Sequence, residues 1–282
     1  MPTFATPTPI DLAINLPVGA IEVVASDRTD TRVTVSPTNP AKAVDVRGAE
    51  ETTVEFDGSR LVIKGPKPRF TVIGPSESIE VRVELPSGSR LTAELSAGGV
   101  RSSGRLGATR IKSSHVELDT TGDLWLRANH GNAEVRTIDG DAEITADHGQ
   151  IRLGTVTGEA TLKASHGSVT IGEAGGEVDA KLSYGDVEIG TALDSVTAKT
   201  AYGSIRVREV SSGSISVDSG YGQLTIGVRE GVAAWLDLSS KDGRVRNDLD
   251  SESAPDEGRQ TVAVRARTQF GDITIQRAKG TS

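Results

Sequence analysis

The sequence predicts an all-β fold: a single-stranded parallel β-helix (β-solenoid) of about 18 residues per coil, with an N-terminal β cap. Three observations carry that expectation. A histidine or tyrosine followed by glycine recurs at His130, His148, His166, Tyr184, Tyr202 and Tyr221, at intervals of 18, 18, 18, 18 and 19 residues. Apolar and polar residues alternate on either side of that corner, which is the period of a strand with one buried face. Composition fits thin aliphatic layers joined by sharp turns. Hydrophobic residues are 35%, aromatics 3%, and there are 32 glycines, the residue that takes positive φ without steric cost.

Taken in chain order, residues 1–90 lack the repeat but still read as strands. AIEVVAS, TRVTVSP, TTVEFDG, RLVIKG and IEVRVELP are separated by clusters of Pro, Gly, Asn and Asp. An exposed first coil is a template for edge-to-edge association, so this region is expected to cap the solenoid. Solenoid repeats are expected over 91–282. Leu91, Ala93 and Leu95, then Ile111, Val116 and Leu118, mark early coils, with Ser113-Ser114 at a corner.

In the central coils Ala142, Ile144 and Ala146 precede a corner, and Ile151 and Leu153 follow it. The inward parity changes from even to odd across His148-Gly149, so the chain turns there. Val156, Ala174, Ala192 and Val210 are expected to plug the return corner. Neighbouring coils should stack one strand spacing apart, in a right-handed sense, so that each column of equivalent residues becomes a ladder. Downstream, Ala234, Leu236 and Leu238 lead to Asp242-Gly243 and Val245. SESAPDEGR, near 250–259, reads as an inserted surface loop. A last rung then runs from Val262, Val264 and Ala266 through Phe270-Gly271 to Ile273 and Ile275. No long helix is expected anywhere.

Three passages resemble a bacterial family of β-strand-repeat domains named as candidate adhesins or as being of unknown function. They are PIDLAINLPVGAIEVVAS, VELPSGSRLTAELSAGGVRSSGRLGATRIKSSHVELDTTGD, and AAWLDLSSKDGRVRNDL with VRARTQFGDITI. Together they span nearly the whole chain. The resemblance implies a β-solenoid with no established enzymatic activity and no catalytic residues to carry over. Many relatives are exported or membrane-tethered.

Composition excludes several function classes. With 31 basic against 39 acidic residues there is no basic stripe for a phosphate backbone, so no nucleic-acid partner is expected. No stretch approaches the uninterrupted apolar length of a membrane span. The N-terminus lacks a basic region followed by an apolar run, so a cytoplasmic location is expected. Cysteine is absent, which removes disulfides and thiolate metal sites. No nucleophile elbow, P-loop or HExxH motif occurs. In the hexapeptide acyltransferase pattern an aliphatic residue falls at every sixth position, and Gln150, Ser168 and Asp186 break one of the three faces. The chain is therefore expected not to be an enzyme and to need no cofactor.

Two columns are candidate interaction surfaces. The first is the corner ladder His130, His148, His166, Tyr184, Tyr202 and Tyr221. Its rings either pack on one another to cover the corner backbone, or present imidazoles to a divalent metal and phenols to a saccharide. The second, Gly154, Gly172, Gly190 and Gly227, is a bare outward column. It is either a docking face or a turn requirement. His115, one position past its own corner, belongs to another column. A carboxylate column (Asp123, Asp141, Glu159, Glu177) either binds calcium or caps backbone N–H groups at turns. Arg127, Lys163, Lys181 and Lys199 project from the same strands and could partly neutralise it. Trp125 and Trp235 point outward, as local covers or as binding anchors. The leading expectation is a non-enzymatic scaffold or protein-interaction solenoid that binds a protein partner or itself. The alternative is a module binding metal or carbohydrate, adhesin-like, through the His/Tyr ladder.

Overall fold

The computed structural model describes residues 2–66, 77–249 and 260–278. The inserted loop expected near 250–259 lies outside the described residues. The chain forms two compact units, Met1–Asp139 and Gly140–Ser282. In each unit parallel strands stack in register around a narrow aliphatic core, the β-solenoid arrangement that the alternating pattern predicts.

Unit 2 shows how a repeating sequence becomes a rung. Each rung pairs a strand of seven to ten residues with a shorter one across a glycine corner, as in Ala160–His166 with Val169–Ala174 and Val178–Tyr184 with Val187–Ala192. Inward residues fall in columns. Ile144, Leu162, Ala180, Ala198 and Val217 are in register along one sheet, and Ile151, Val169, Val187, Ile205 and Leu224 along the other. All ten are 1% exposed or less. Val156, Ala174, Ala192 and Val210 are equally buried and close the return corner. With almost no aromatic bulk to place, each rung contributes a thin layer, and burial of the aliphatic columns drives the stacking.

The corner fixes the register. Gly149, Gly167, Gly185 and Gly203 have φ between 126° and 153°, a region that disfavours any side chain. A Cβ built on Gly167 would sit 1.7 Å from the Gly149 carbonyl oxygen, and one on Gly185 2.0 Å from that of Gly167. Each corner therefore passes directly over the one before it. Backbone bonds continue through the turn: the Gly167 amide donates to the Tyr184 carbonyl at 3.0 Å, and Gly185 to Tyr202 at 2.8 Å. In the later rungs a hydroxyl caps the corner carbonyl. Thr200 donates to Gly185 at 3.1 Å, Ser219 to Gly203 at 2.8 Å, and Thr268 to Gly222 at 3.2 Å. Each such bond, partly buried, contributes about 1 kcal/mol.

The order of rungs departs from chain order. Reading the rungs in sequence places Val262–Ile275 last. Instead Thr261–Phe270 pairs on one side with Ser214–Tyr221 and on the other with Ala233–Asp242. The matching strand Ile273–Arg277 likewise lies between Leu224–Val228 and Val245–Asn247. The reason is visible in burial. Val264, Ala266, Ile273 and Ile275 continue the aliphatic columns at 0–1% exposure, whereas Leu236 and Leu238 are half-buried and Val245 is 48% exposed. The more apolar rung takes the inner position.

Unit 1 uses the same device with longer strands. Asp11–Ser26 and Arg90–Ser103 run through their corners without a break, bending at Gly19 (φ 147°) and Gly98 (φ 132°). The first of these strands pairs in parallel with Arg90–Ser103 on one side, and with Arg60–Lys64 and Ile79–Pro86 on the other. Here too a terminal rung sits inside its sequence neighbours. The far edges of the outer strands are taken by antiparallel partners: Asp30–Pro37 on Ile79–Pro86, and Thr53–Phe56 on Arg60–Lys64. A short helix, Ala43–Glu51, adds to this region. It is held by buried Asp45, whose carboxylate accepts from the amides of Asn39 and Ser78 at 3.2 and 3.1 Å.

Arg28 joins Asp30 and Glu84, tying the turn after Asp11–Ser26 to Ile79–Pro86. Hydrogen bonds from Arg28 hold both carboxyls below the usual carboxylate range. A carboxyl with a depressed folded pKa adds stability above its unfolded pKa, and loses it as pH falls through the folded value. The unfolding midpoint is therefore expected to drop as pH falls below the ordinary carboxylate range, and the drop should be smaller in Arg28→Met, measured by urea titration at several pH values. A second expectation concerns the corner. Gly167→Ala should cost about 3 kcal/mol or more. Gly231→Ala, at φ 79° with nothing within 4 Å of the new carbon, should cost about 1 kcal/mol. Equal losses in urea denaturation would show that close passage of the corners is not the constraint.

Candidate functional site

The corner column is built by register. His148, His166, Tyr184, Tyr202 and Tyr221 are opposite one another in successive parallel strands. Their backbones are one strand spacing apart and share a conformation, so the side chains adopt one orientation and the rings lie parallel. Successive centroids are 4.9, 5.0, 5.0 and 4.9 Å apart, with interplanar angles of 3–5°. The stack gains a member that the 18-residue spacing did not reveal. Phe270 is opposite Tyr221, with centroids 4.7 Å apart and planes 7° off parallel. The signal was present in Phe270-Gly271, an aromatic followed by glycine, but its 49-residue distance from Tyr221 hid the membership. His130 closes the strand Leu124–His130 of unit 1 and is exposed.

This geometry limits what the ladder can recognise. Parallel stacking turns ring faces toward each other, and the tyrosines are still 47–49% exposed. What reaches solvent is a row of ring edges, phenol hydroxyls and imidazole nitrogens at one-rung spacing. A flat ligand or saccharide would meet edges, since the faces between rungs are already occupied. Among the described residues no group of three His, Asp or Glu side chains is gathered to hold a metal ion. Beside the ladder runs an outer groove of about 540 Å³. Lys181, Lys199, Lys241, Arg267 and Asp218 line it, an excess of positive charge.

The glycine column lies where strand pairing skips a residue. Pairing runs from Leu153↔Ile171 to Thr155↔Glu173, with Gly154 and Gly172 between. A Cβ on Gly172 would sit 2.6 Å from the Gly154 carbonyl oxygen, and one on Gly190 2.3 Å from that of Gly172. Gly227 is buried, whereas Gly154 and Gly172 are exposed. Close approach of successive backbones thus accompanies the missing side chains. Arg208 holds the equivalent position in its rung, reaching Glu188 through a short ion pair.

The remaining polar columns have local partners. The Asp141 carboxylate accepts from the Glu159 amide at 2.9 Å, and Asp186 does the same for Ser204 at 2.7 Å. These are turn caps reaching from one rung to the next. Lys181 pairs with Asp179 at 2.7 Å and Lys199 with Asp218 at 3.6 Å, so neither ion pair involves the carboxylate column. Trp125 is half-buried beneath Arg110, whose guanidinium carbon lies 3.7 Å from the ring centroid. Trp235, in contrast, is 68% exposed. His115 lines a separate groove of about 460 Å³ in unit 1 with Glu22, Glu80, Arg82, Arg101 and Glu117. Its arginines are engaged, Arg101 with Glu117 at 2.8 Å and Arg82 with Glu22 at 2.5 Å.

The profile of the Toastrack DUF4097 family matches residues 11–279. No curated protein matches the sequence. Among solved structures, a candidate adhesin from Parabacteroides distasonis is 14% identical over 98% of this chain and 95% of that one, with a TM-score of 0.29. A candidate adhesin from Bacteroides fragilis is 10% identical over 97% and 95%, with a TM-score of 0.28. A candidate cell adhesion protein from Clostridium sporogenes is 12% identical over 98% of each chain, with a TM-score of 0.21.

Stacked rings with two neighbours each should contribute measurably to unit 2. Tyr202→Ala removes two ring contacts and is expected to cost about 1–3 kcal/mol, whereas Tyr202→Phe keeps the stack and should change stability by under about 0.5 kcal/mol. Chemical denaturation of both variants checks this. Equal effects would mean that the hydroxyl, not the stack, carries the contribution.

Proposed function

We propose that this chain, which belongs to the Toastrack DUF4097 family, is a non-enzymatic β-solenoid scaffold whose regular outer columns bind protein. The observation that carries this reading is how the polar side chains are used. Ion pairs lie flat along the sheets, carboxylates cap turns, and hydroxyls cap corner carbonyls. Chemistry needs a nucleophile, base and charge stabiliser converging on one point. Here equivalent residues are spread one per rung along straight columns, an arrangement suited to an extended partner. The depletion of aromatic bulk and the short corners favour the same reading, because they leave the flanks flat.

A second reading rests on the ladder itself. Its edges offer hydroxyl and imidazole groups at 4.9–5.0 Å intervals beside a cationic groove. That spacing suits a linear ligand with a repeat close to one rung. Replacing Tyr184, Tyr202 and Tyr221 together by Phe keeps the stack and removes the hydroxyl row.

Gel filtration with light scattering and affinity capture separate the readings. The scaffold reading expects the full chain to self-associate or to retain a defined protein partner, with unchanged retention in the triple Phe variant. A strict monomer that retains no protein, but binds zinc or a glycan in calorimetry and loses that binding in the triple variant, would overturn it.

A further inference from the structure

We infer that unit 2 carries a self-complementary docking edge, the strand Ala233–Asp242, which pairs antiparallel with the same strand of a second copy. This deepens the protein-binding reading above by naming a partner and a surface. Among the described residues the strand is bonded on one side only, to Thr261–Phe270. The Ala233 amide points toward that neighbour, donating to the Gln260 carbonyl at 3.1 Å. Because backbone groups alternate sides along a strand, those of Ala234, Leu236 and Leu238 face the opposite, open side.

Apolar groups are exposed along the same rung. Trp235 is 68% exposed, and Val245, at the end of a column otherwise buried to 0–1%, is 48% exposed. Leu236 and Leu238 are half-buried although Val264 and Ala266 beside them are fully buried. Among the described residues no layer covers this end of the core, and its outermost strand still has bonding groups to offer.

Three features select a second copy as the occupant. First, every copy presents the same strand edge, so like-to-like pairing needs no second kind of surface. Such pairing about a twofold axis closes on itself. Second, the charges are self-complementary. Asp237, which also meets Arg265 and Arg267 at 3.3 and 3.4 Å, and Lys241 point outward four residues apart, so pairing centred on Ser239 sets each opposite the other in the second copy. Third, the same register places Trp235 opposite Gly243, where no side chain obstructs the ring. Ser239 then faces its own counterpart as a non-hydrogen-bonded pair, the closer of the two antiparallel pair types.

The full chain lacks cysteine, which makes the test direct. Sedimentation velocity across a concentration series should show a monomer–dimer equilibrium. Ser239→Cys should form an intermolecular disulfide under mild oxidation, whereas exposed Ser183→Cys on an inner rung should not. Leu236→Pro removes one outward amide and leaves the bonds to Thr261–Phe270 intact. It should shift the population to monomer with an unchanged circular dichroism spectrum, and Lys241→Glu should weaken the dimer at least tenfold with the fold preserved. A monomer at every concentration would overturn the inference. A dimer that persists in both edge variants and gives no Ser239→Cys cross-link would overturn it while leaving the protein-binding reading intact.

Discussion

The structure of unit 2 depends on one close approach, the passage of each corner glycine over the carbonyl of the corner before it. With φ well into the positive region and under 2.1 Å between a would-be Cβ on Gly167, Gly185 or Gly203 and the preceding carbonyl oxygen, the corner admits no side chain. That restriction fixes the register of every strand entering and leaving the turn. Register in turn aligns the aliphatic columns, the corner hydroxyls and the rings. The ring stack is thus a consequence of the turn: side chains held in one conformation at one-rung spacing have no arrangement more compact than parallel.

The same geometry separates spatial order from chain order. Rungs compete for inner positions by the apolar surface they can bury, and Thr261–Phe270 with Ile273–Arg277 outcompetes Ala233–Asp242 with Val245–Asn247. In unit 1 the strand Asp11–Ser26 likewise lies between partners that follow it in sequence. Lying between two rungs satisfies the backbone of each such strand on both sides. The displaced rung pays for this with an open edge.

Much of this was legible in the sequence because the interval is nearly constant between His130 and Tyr221. A period of 18 residues with alternating parity leaves few folds to choose from, and the aliphatic columns predicted from it are the columns observed. Phe270 was missed as a ring partner because two rungs exchange places and the periodicity carries no sign of exchange. The corner hydroxyls were missed because Ala146, Ala164 and Leu182 hold that column in the earlier rungs. The long strands of unit 1 turn at Gly19 and Gly98 after small aliphatic residues, so no aromatic marks them. The helix Ala43–Glu51 gave no strong apolar stripe, and a buried aspartate holds it in place. Columns on the surface were visible as residues, but their ion pairs, which depend on neighbouring rungs, were not.

The central claim is that corner geometry and burial, not chain order, set the sequence of rungs. In this cysteine-free chain, paired cysteines at Ser216 and Arg265, which are register partners, test it most directly against a pair at Ser216 and Asp237. The account predicts rapid disulfide formation in the first pair and none in the second under the same mild oxidant. Trapping of Ser216 to Asp237, with no bond to Arg265, would restore chain order and contradict it.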